Sequence, residues 1–488
     1  MSAWEIALIA ALGARVVAMW FRGESGAVVR GLAATAAGVA WVAHLAWEGP
    51  RWPMAPAYVG AALAVVLLPW ERPHPKAVLL RLGRNRRQRR PVPWGRALVA
   101  GLAWVPTAAA PWALPVPVLP APSGPWAVGS LSFAMALPDA VRPDGRVEQQ
   151  RRTMVRLWYP VDPAAAPSAD APWLERADVV LPAMAAASGL PPIAFHHLGR
   201  VRTHAAWAAP LAPPPDDRGW PLATFDHGLG GFRSQNTFLV EELASHGFVV
   251  AALDHPGDAL ATTLPGGETL PYEGLPPTEA PGYVEAVVAL GARWTVDTGA
   301  LLGALGALEP AGDLAAFAGS LDLGRGLALG HSAGGGVATL VCEAWDGCRA
   351  VLALDPWWAP VAPERLEAGS SRPLAVVASD PSLGYFGHGN ADRFARFAAA
   401  STAPVVAWVL EGGGHHDVDD TMGLSPVAAH FGHGVGPVDK GAAMAAVRAV
   451  AVAIAGLAEG AEPPAAERWR AALTEAAPPP LRAYVPGR

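Results

Sequence analysis

Two hydrophobic patterns run along this chain, and one gives way to the other near residue 119. Before that point four stretches are apolar on all sides: residues 6–21, broken only by Arg15, then 31–47, 53–70 and 97–119, which carry no Asp, Glu, Lys or Arg. About 20 apolar residues in a helix cross the ~30 Å hydrocarbon core of a bilayer. None of the four has a polar face to turn to water, so the pattern predicts about four transmembrane helices within residues 1–118. Pro106, Pro111, Pro115 and Pro117 interrupt the fourth, where neighbouring groups must satisfy the freed carbonyls. A Pro-rich linker, 120–125, follows. Beyond it, short β-rich runs at 153–159, 222–225, 248–253, 326–329, 350–354, 374–378 and 405–410 alternate with helical stretches at 234–245, 284–308, 333–344 and 440–458. Several of the runs are continuously apolar, as strands buried on both faces of a parallel sheet are. The alternation predicts one α/β domain over 119–488.

Charge sharpens the division. Residues 1–118 hold 13 Lys and Arg against 4 Asp and Glu, a net of +9, whereas the remainder of the chain carries a net of −15. Arg72, Lys76, Arg81, Arg84, Arg86, Arg87, Arg89, Arg90 and Arg96 crowd the loop between the third and fourth apolar stretches. Loops this basic stay on the cytoplasmic side, which predicts a multi-pass cell-membrane protein with its 119–488 domain extracytoplasmic. Trp20, Trp47, Trp52, Trp70 and Trp94 stand at segment ends, as interfacial aromatic belts do. The basic loop reads as contact with anionic lipid rather than nucleic acid. Only 16% of residues are charged, against 52% hydrophobic, which excludes a charged disordered chain and a basic nucleic-acid binder. The two cysteines, Cys342 and Cys348, are spaced for either a disulfide or two buried thiols.

The chemistry gathers at strand ends. Gly330-His331-Ser332-Ala333-Gly334 follows a predicted strand and opens a predicted helix, the setting in which G-x-S-x-G is a nucleophile elbow. A serine hydroxyl needs a base, and the base an acid that holds its tautomer. His415 lies in the Gly-rich loop after the run 405–410 and is the expected base; His416 reads as its neighbour pointing away. Asp355 and Asp380 each follow a strand, and pattern alone favours Asp380 as the acid. Asp226-His227-Gly228-Leu229-Gly230-Gly231 follows another strand, so the backbone N–H groups of Leu229 and Ala333 are the expected oxyanion donors. Without a P-loop lysine this Gly-rich turn does not read as a phosphate site.

Taken together, several motifs resemble the platelet-activating-factor acetylhydrolases and their bacterial relatives, from about Trp126 to the last helix. They are His227-Gly228-Leu229-Gly230-Gly231-Phe232-Arg233, Leu243-Ala244-Ser245-His246-Gly247, Arg156-Leu157-Trp158-Tyr159-Pro160, the elbow, Leu354-Asp355-Pro356-Trp357-Trp358, and the loop of His415 with Asp420 five residues on. The resemblance implies an α/β-hydrolase fold and moves the expected acid to Asp355. Asp254-His255-Pro256 and His416 depart from the family pattern, and the N-terminal apolar region lies outside it.

These readings converge on a membrane-anchored serine ester hydrolase with a Ser332–His415–Asp355 triad. It would act on short-acyl or lipid-derived esters and would need no metal or organic cofactor. Acyl transfer to an alcohol and polyester cleavage would use the same elbow. A non-catalytic receptor or scaffold would lack a triad member, and none is missing.

Overall fold

The computed structural model describes the chain except residues 22, 68–93, 143–144, 165, 384–386, 432–433, 461–465 and 486–488. The basic loop from Arg72 to Arg90 thus lies outside the described residues. The chain divides into two compact units. The first comprises Met1–Val116, Ile193–Leu198 and Leu424–Val427; the second comprises Pro117–Pro192, Gly199–Gly423 and Ala428–Arg488.

The first unit is built on α1 (Ala3–Ala18), α2 (Gly23–Trp47), α3 (Ala55–Val66) and α4 (Trp94–Ala113). Ser2 and Glu5 cap α1 reciprocally, each accepting the other's backbone N–H, which satisfies two otherwise orphaned donors. The interior holds Leu8 and Leu12 among small residues, Ala34, Ala37, Ala57 and Ala61, all buried. Large apolar side chains face outward instead: Val39, Val42, Val59, Leu63, Val66, Leu98, Leu102 and Val105 are exposed. Small residues let helix backbones approach closely where no hydrophobic effect drives them together. Measured by length and apolar composition, two described helices are long enough to span a bilayer, Gly26–Trp47 and Lys440–Ala458. The second of these belongs to the other unit, where Ala443, Val447, Val450 and Ile454 bury one face in the core. α1 has 16 residues and α3 has 12, while α4 carries Pro106 and Pro111 inside it.

The second unit is a ten-stranded sheet of β1 (Ala127–Ala136), β2 (Arg152–Val161), β3 (Ala206–Trp207), β4 (Trp220–Asp226), β5 (Val249–Leu253), β6 (Leu321–His331), β7 (Cys348–Leu354), β8 (Leu374–Ala378), β9 (Val405–Leu410) and β10 (Leu481–Tyr484). Their spatial order is β10-β9-β8-β7-β6-β4-β5-β2-β1-β3. The strands from β4 to β9 pair in parallel, and β2 and β10 join antiparallel at either side of that block. Every residue of β4 and β5 is buried, which explains why these runs read as unbroken apolar stretches rather than alternating ones. On one face α7 (Tyr283–Gly306), α8 (Ala333–Ala344) and α10 (Gly387–Ala400) cover a core containing Trp294, Val337 and Phe397. On the other, α6 (Thr237–Ser245), α11 (Lys440–Ala458) and α12 (Ala466–Ala476) cover a second core containing Phe238, Val447 and Trp469. The sheet with helices on both faces is the α/β arrangement expected from the alternation.

Several elements lack a signal in the pattern. β1 alternates poorly, β10 is a four-residue edge, and α12 is too polar to register as a core helix. α5 (Ala177–Ala187) and α9 (Pro363–Ala368) are short. Between β5 and α7, Ala261–Thr263 pairs antiparallel with Thr269–Pro271. Cys342 of α8 and Cys348 of β7 are joined by a disulfide, with 5.2 Å between their Cα atoms.

Candidate active site

β6 ends at His331 and α8 begins at Ala333, leaving Ser332 to make the whole turn. Its backbone sits at φ +56°, ψ −119°, a region that costs a non-glycine residue strain and recurs where function demands it. The flanking glycines are sterically required. A Cβ on Gly330 would lie 2.1 Å from the Gly334 carbonyl oxygen, and one on Gly334 would lie 2.0 Å from that of Asp226. Backbone bonds pin the elbow to the next strand: Ser332 N–H donates to the Leu354 carbonyl at 2.9 Å, and its own carbonyl accepts from Trp357 N–H at 2.8 Å.

Asp355 follows β7, also with positive φ, +36°. Its Oδ1 accepts from the Ser379 N–H at 2.7 Å, and its Oδ2 lies 2.5 Å from His415 Nδ1. Burial raises the Asp355 carboxyl, but the bonds from His415 and Ser379 outweigh it and hold the group below the usual carboxylate range. Burial also lowers His415; Asp355 pulls it back only in part, so the imidazole stays below its ordinary value and neutral at pH 7. Asp380 occupies a different place. Its Oδ2 accepts from the Gly412 N–H at 3.0 Å, and its own N–H donates to the Gly413 carbonyl at 2.8 Å. It therefore latches the start of the His415 loop and has no contact with the ring. Asp420 is likewise structural: its carboxylate accepts from the Thr237 and Phe238 N–H groups and from Trp173 Nε1, capping α6 from a distant loop.

β4 leads into the loop that carries Leu229, the expected oxyanion donor. The Gly228 carbonyl accepts from His227 Nδ1 at 2.6 Å and from the Gly231 N–H at 2.8 Å. A trans peptide points the following N–H opposite to its carbonyl, so these bonds set the direction of the Leu229 N–H. Neither Leu229 N–H nor Ala333 N–H has an intramolecular partner among the described residues. Gly228, Leu229, Gln235, His331, Ser332, Trp357, His415 and His416 line one cleft of about 250 Å³. The expected nucleophile, base and both loops thus meet at a single opening.

Three side chains near the cleft have the composition of a metal site: His331, His416 and Asp419, whose ligand atoms lie within 4.8 Å of one another. They are already engaged with each other and with Gln235. Asp419 Oδ2 lies 2.8 Å from His416 Nδ1, and Gln235 Nε2 donates to His331 Nδ1 at 3.0 Å. The His331 lone pair a cation would need is taken. Gln235, His331 and Asp419 are the residues that sequence reasoning passed over, because a polar side chain beside a motif carries no signal of what it will touch.

Known proteins resemble this chain in sequence and in fold. Residues 116–266 match the family model of platelet-activating factor acetylhydrolase, isoform II. Over those residues the chain is similar to the platelet-activating factor acetylhydrolases. The chain is 28% identical to the platelet-activating factor acetylhydrolase of Cavia porcellus over 54% of its own length and 60% of that protein. It is 30% identical to the corresponding protein of Canis lupus familiaris over 33% of this chain and 40% of the relative. The chain therefore spans less than two thirds of either. Among solved structures, a ferulic acid esterase from Streptomyces cinnamoneus superposes with a TM-score of 0.53 at 25% identity, over 70% of this chain and 92% of the esterase.

Proposed function

We propose that the chain is a membrane-anchored serine hydrolase that cleaves short-acyl or lipid-derived carboxylic esters. One observation carries the reading: Ser332, on a strained elbow, shares its cleft with His415, which is bonded to buried Asp355, while the Leu229 N–H of the cleft lining has no intramolecular partner among the described residues. Ser332 Oγ attacks the ester carbonyl as His415 Nε2 takes its proton, and Asp355 steadies the imidazolium. The Leu229 and Ala333 N–H groups hold the tetrahedral oxyanion. Collapse expels the alcohol, which receives the proton from His415, and leaves an acyl-Ser332. Water, activated by the same histidine, then releases the acid. Relatives described as platelet-activating factor acetylhydrolases and a neighbour described as an esterase support the reaction class.

Membrane anchoring has separate support. Within the first unit the large apolar side chains face outward and the small ones inward, the arrangement that suits lipid rather than water. The nine Lys and Arg between residues 72 and 96 favour a multi-pass topology with that loop cytoplasmic and the catalytic unit, residues 119–488, outside. A fluorophosphonate probe on membranes from expressing cells tests both parts. Ser332 should be labelled, Ser332→Ala should not, and label should reach the protein in intact cells with an impermeant probe. Absence of labelling in detergent-solubilised wild type would sink the hydrolase reading, while labelling only after lysis would reverse the topology.

A further inference from the structure

Gln235 is a buried residue of the cleft lining and touches three of the segments that meet there. Its Oε1 accepts from the Gly228 N–H at 2.8 Å, while its Nε2 lies 3.0 Å from His331 Nδ1 and 3.1 Å from Asp419 Oδ2. Its backbone carbonyl accepts from the Asp420 N–H at 3.0 Å. These bonds admit one protonation pattern. An amide nitrogen cannot accept, so the Gly228 N–H fixes which end of the amide is oxygen. The nitrogen then donates to His331, whose Nδ1 must be the acceptor and whose proton must sit on Nε2. His331 Nε2 in turn donates to the His415 carbonyl, 3.0 Å away. His331 is held neutral by burial, which pushes it down to about 3. A directional chain therefore runs from the oxyanion loop through Gln235 and His331 to the backbone of the base.

We propose that Gln235 is a positioning residue for ester hydrolysis, registering the Leu229 donor against the Ser332 elbow and His415. This rests on the hydrolase reading above. The physical reason is geometric. His227 and Gly231 grip the Gly228 carbonyl, and Gln235 grips the N–H of the same residue from the side of the elbow. With both ends of that residue tied, the Leu229 N–H cannot swing. An oxyanion donor acts by being fixed where charge develops, and losing one outright costs ~10²–10³ in turnover. Loosening it costs less.

The test uses the full chain in detergent and a short-acyl p-nitrophenyl ester. Gln235→Met keeps the length but can neither accept from Gly228 nor donate to His331. With active sites counted by fluorophosphonate titration, kcat per titrated site should fall about 10–100-fold with KM within about threefold. Affinity for a trifluoromethyl ketone, whose adduct places an oxyanion in the hole, should weaken by a similar factor. If instead kcat per titrated site stays within about twofold of wild type and only the number of titratable sites drops, Gln235 serves folding alone and the proposal is overturned. Should the Met variant fail to fold, Gln235→Glu decides. Its carboxylate keeps an acceptor for Gly228 but cannot donate to neutral His331 or to Asp419, so a proton taken up between the new carboxyl and His331 is needed to restore the Gly228 and His331 bonds. Its kcat relative to wild type should improve as pH falls from about 8 to 6, the reverse of the loss expected from protonating His415. A ratio near one across that range would again overturn the proposal. Wild type that neither labels nor hydrolyses would instead remove the hydrolase reading beneath it.

Discussion

The two units use the same apolar vocabulary in opposite directions. In the sheet unit Trp158, Trp294, Phe238 and Trp469 are fully buried, and charged residues inside are paired, as with Arg151 on Asp297 and Arg233 on Asp254. In the helical unit Ala34, Ala37, Ala57 and Ala61 fill the interior while Val42, Leu63 and Leu102 look outward. The contrast teaches that hydrophobic content does not identify a core. Which side chains are hidden supports the surroundings proposed for each unit. Water drives large apolar groups together, but a lipid-facing helix gains nothing by hiding a leucine and packs through small residues instead.

The largest effect expected from this contrast belongs to the sheet unit, where Asp355 bonds the His415 ring and Asp380 bonds the backbone of its loop. Asp355→Asn should lower kcat by about 10²–10⁴ because the wrong imidazole tautomer is then favoured. Asp380→Asn should lose less than about tenfold, since it only loosens the Gly412 latch. Steady-state kinetics on titrated enzyme separates them, and a larger loss at Asp380 would move the acid to the strand after β7.

A smaller effect tests the helical unit. Ala61→Leu adds volume where none is free and should destabilise the helices by about 1–3 kcal/mol. Leu63→Ala, on the outward face, should change stability by no more than about 0.5 kcal/mol. Unfolding in mixed micelles, followed by tryptophan fluorescence, reports both. Equal losses would mean that Leu63 is packed in the protein and that the helices face the other way.

The smallest effect is on pH dependence. His331 and His227 are buried and lowered, to about 3 and about 4. A histidine lowered in the folded state is protonated first in the unfolded chain. Its contribution is complete above the unfolded value, ~6.5, and is lost as pH falls from there toward the folded value. Melting temperature should therefore decline between about pH 6.5 and 4, and His331→Gln should flatten that decline. An identical slope in the variant would mean His331 is protonated in the native protein, which would also break the tautomer chain through Gln235.

Much of the catalytic unit was legible because its signals are local. G-x-S-x-G demands a particular backbone turn, and the glycines at 330 and 334 are what that turn leaves room for. Strands β4 and β5 are buried on both faces and so read as apolar runs, whereas β1 lies beside the edge strand β3, β10 is the opposite edge, and both have mixed burial. Pattern alone favoured Asp380, and the family resemblance moved the expectation to Asp355. Both follow parallel strands, and only their registry with the loop after β9 decides which one reaches His415.

By itself, then, the sequence determined the two kinds of region, the alternating α/β order, the elbow at Ser332 and the Gly-rich loops that carry His415 and Leu229. Each rests on the intrinsic preferences of neighbouring residues. Only the tertiary structure decided that Asp355 meets His415, that Asp380 and Asp420 brace loops, that Cys342 and Cys348 are joined, and that Gln235 links the oxyanion loop to the elbow and the base. These are contacts between residues up to 247 positions apart. A hydrogen bond depends on a distance of about 3 Å, and no local pattern in the chain encodes a distance between segments brought together by the sheet.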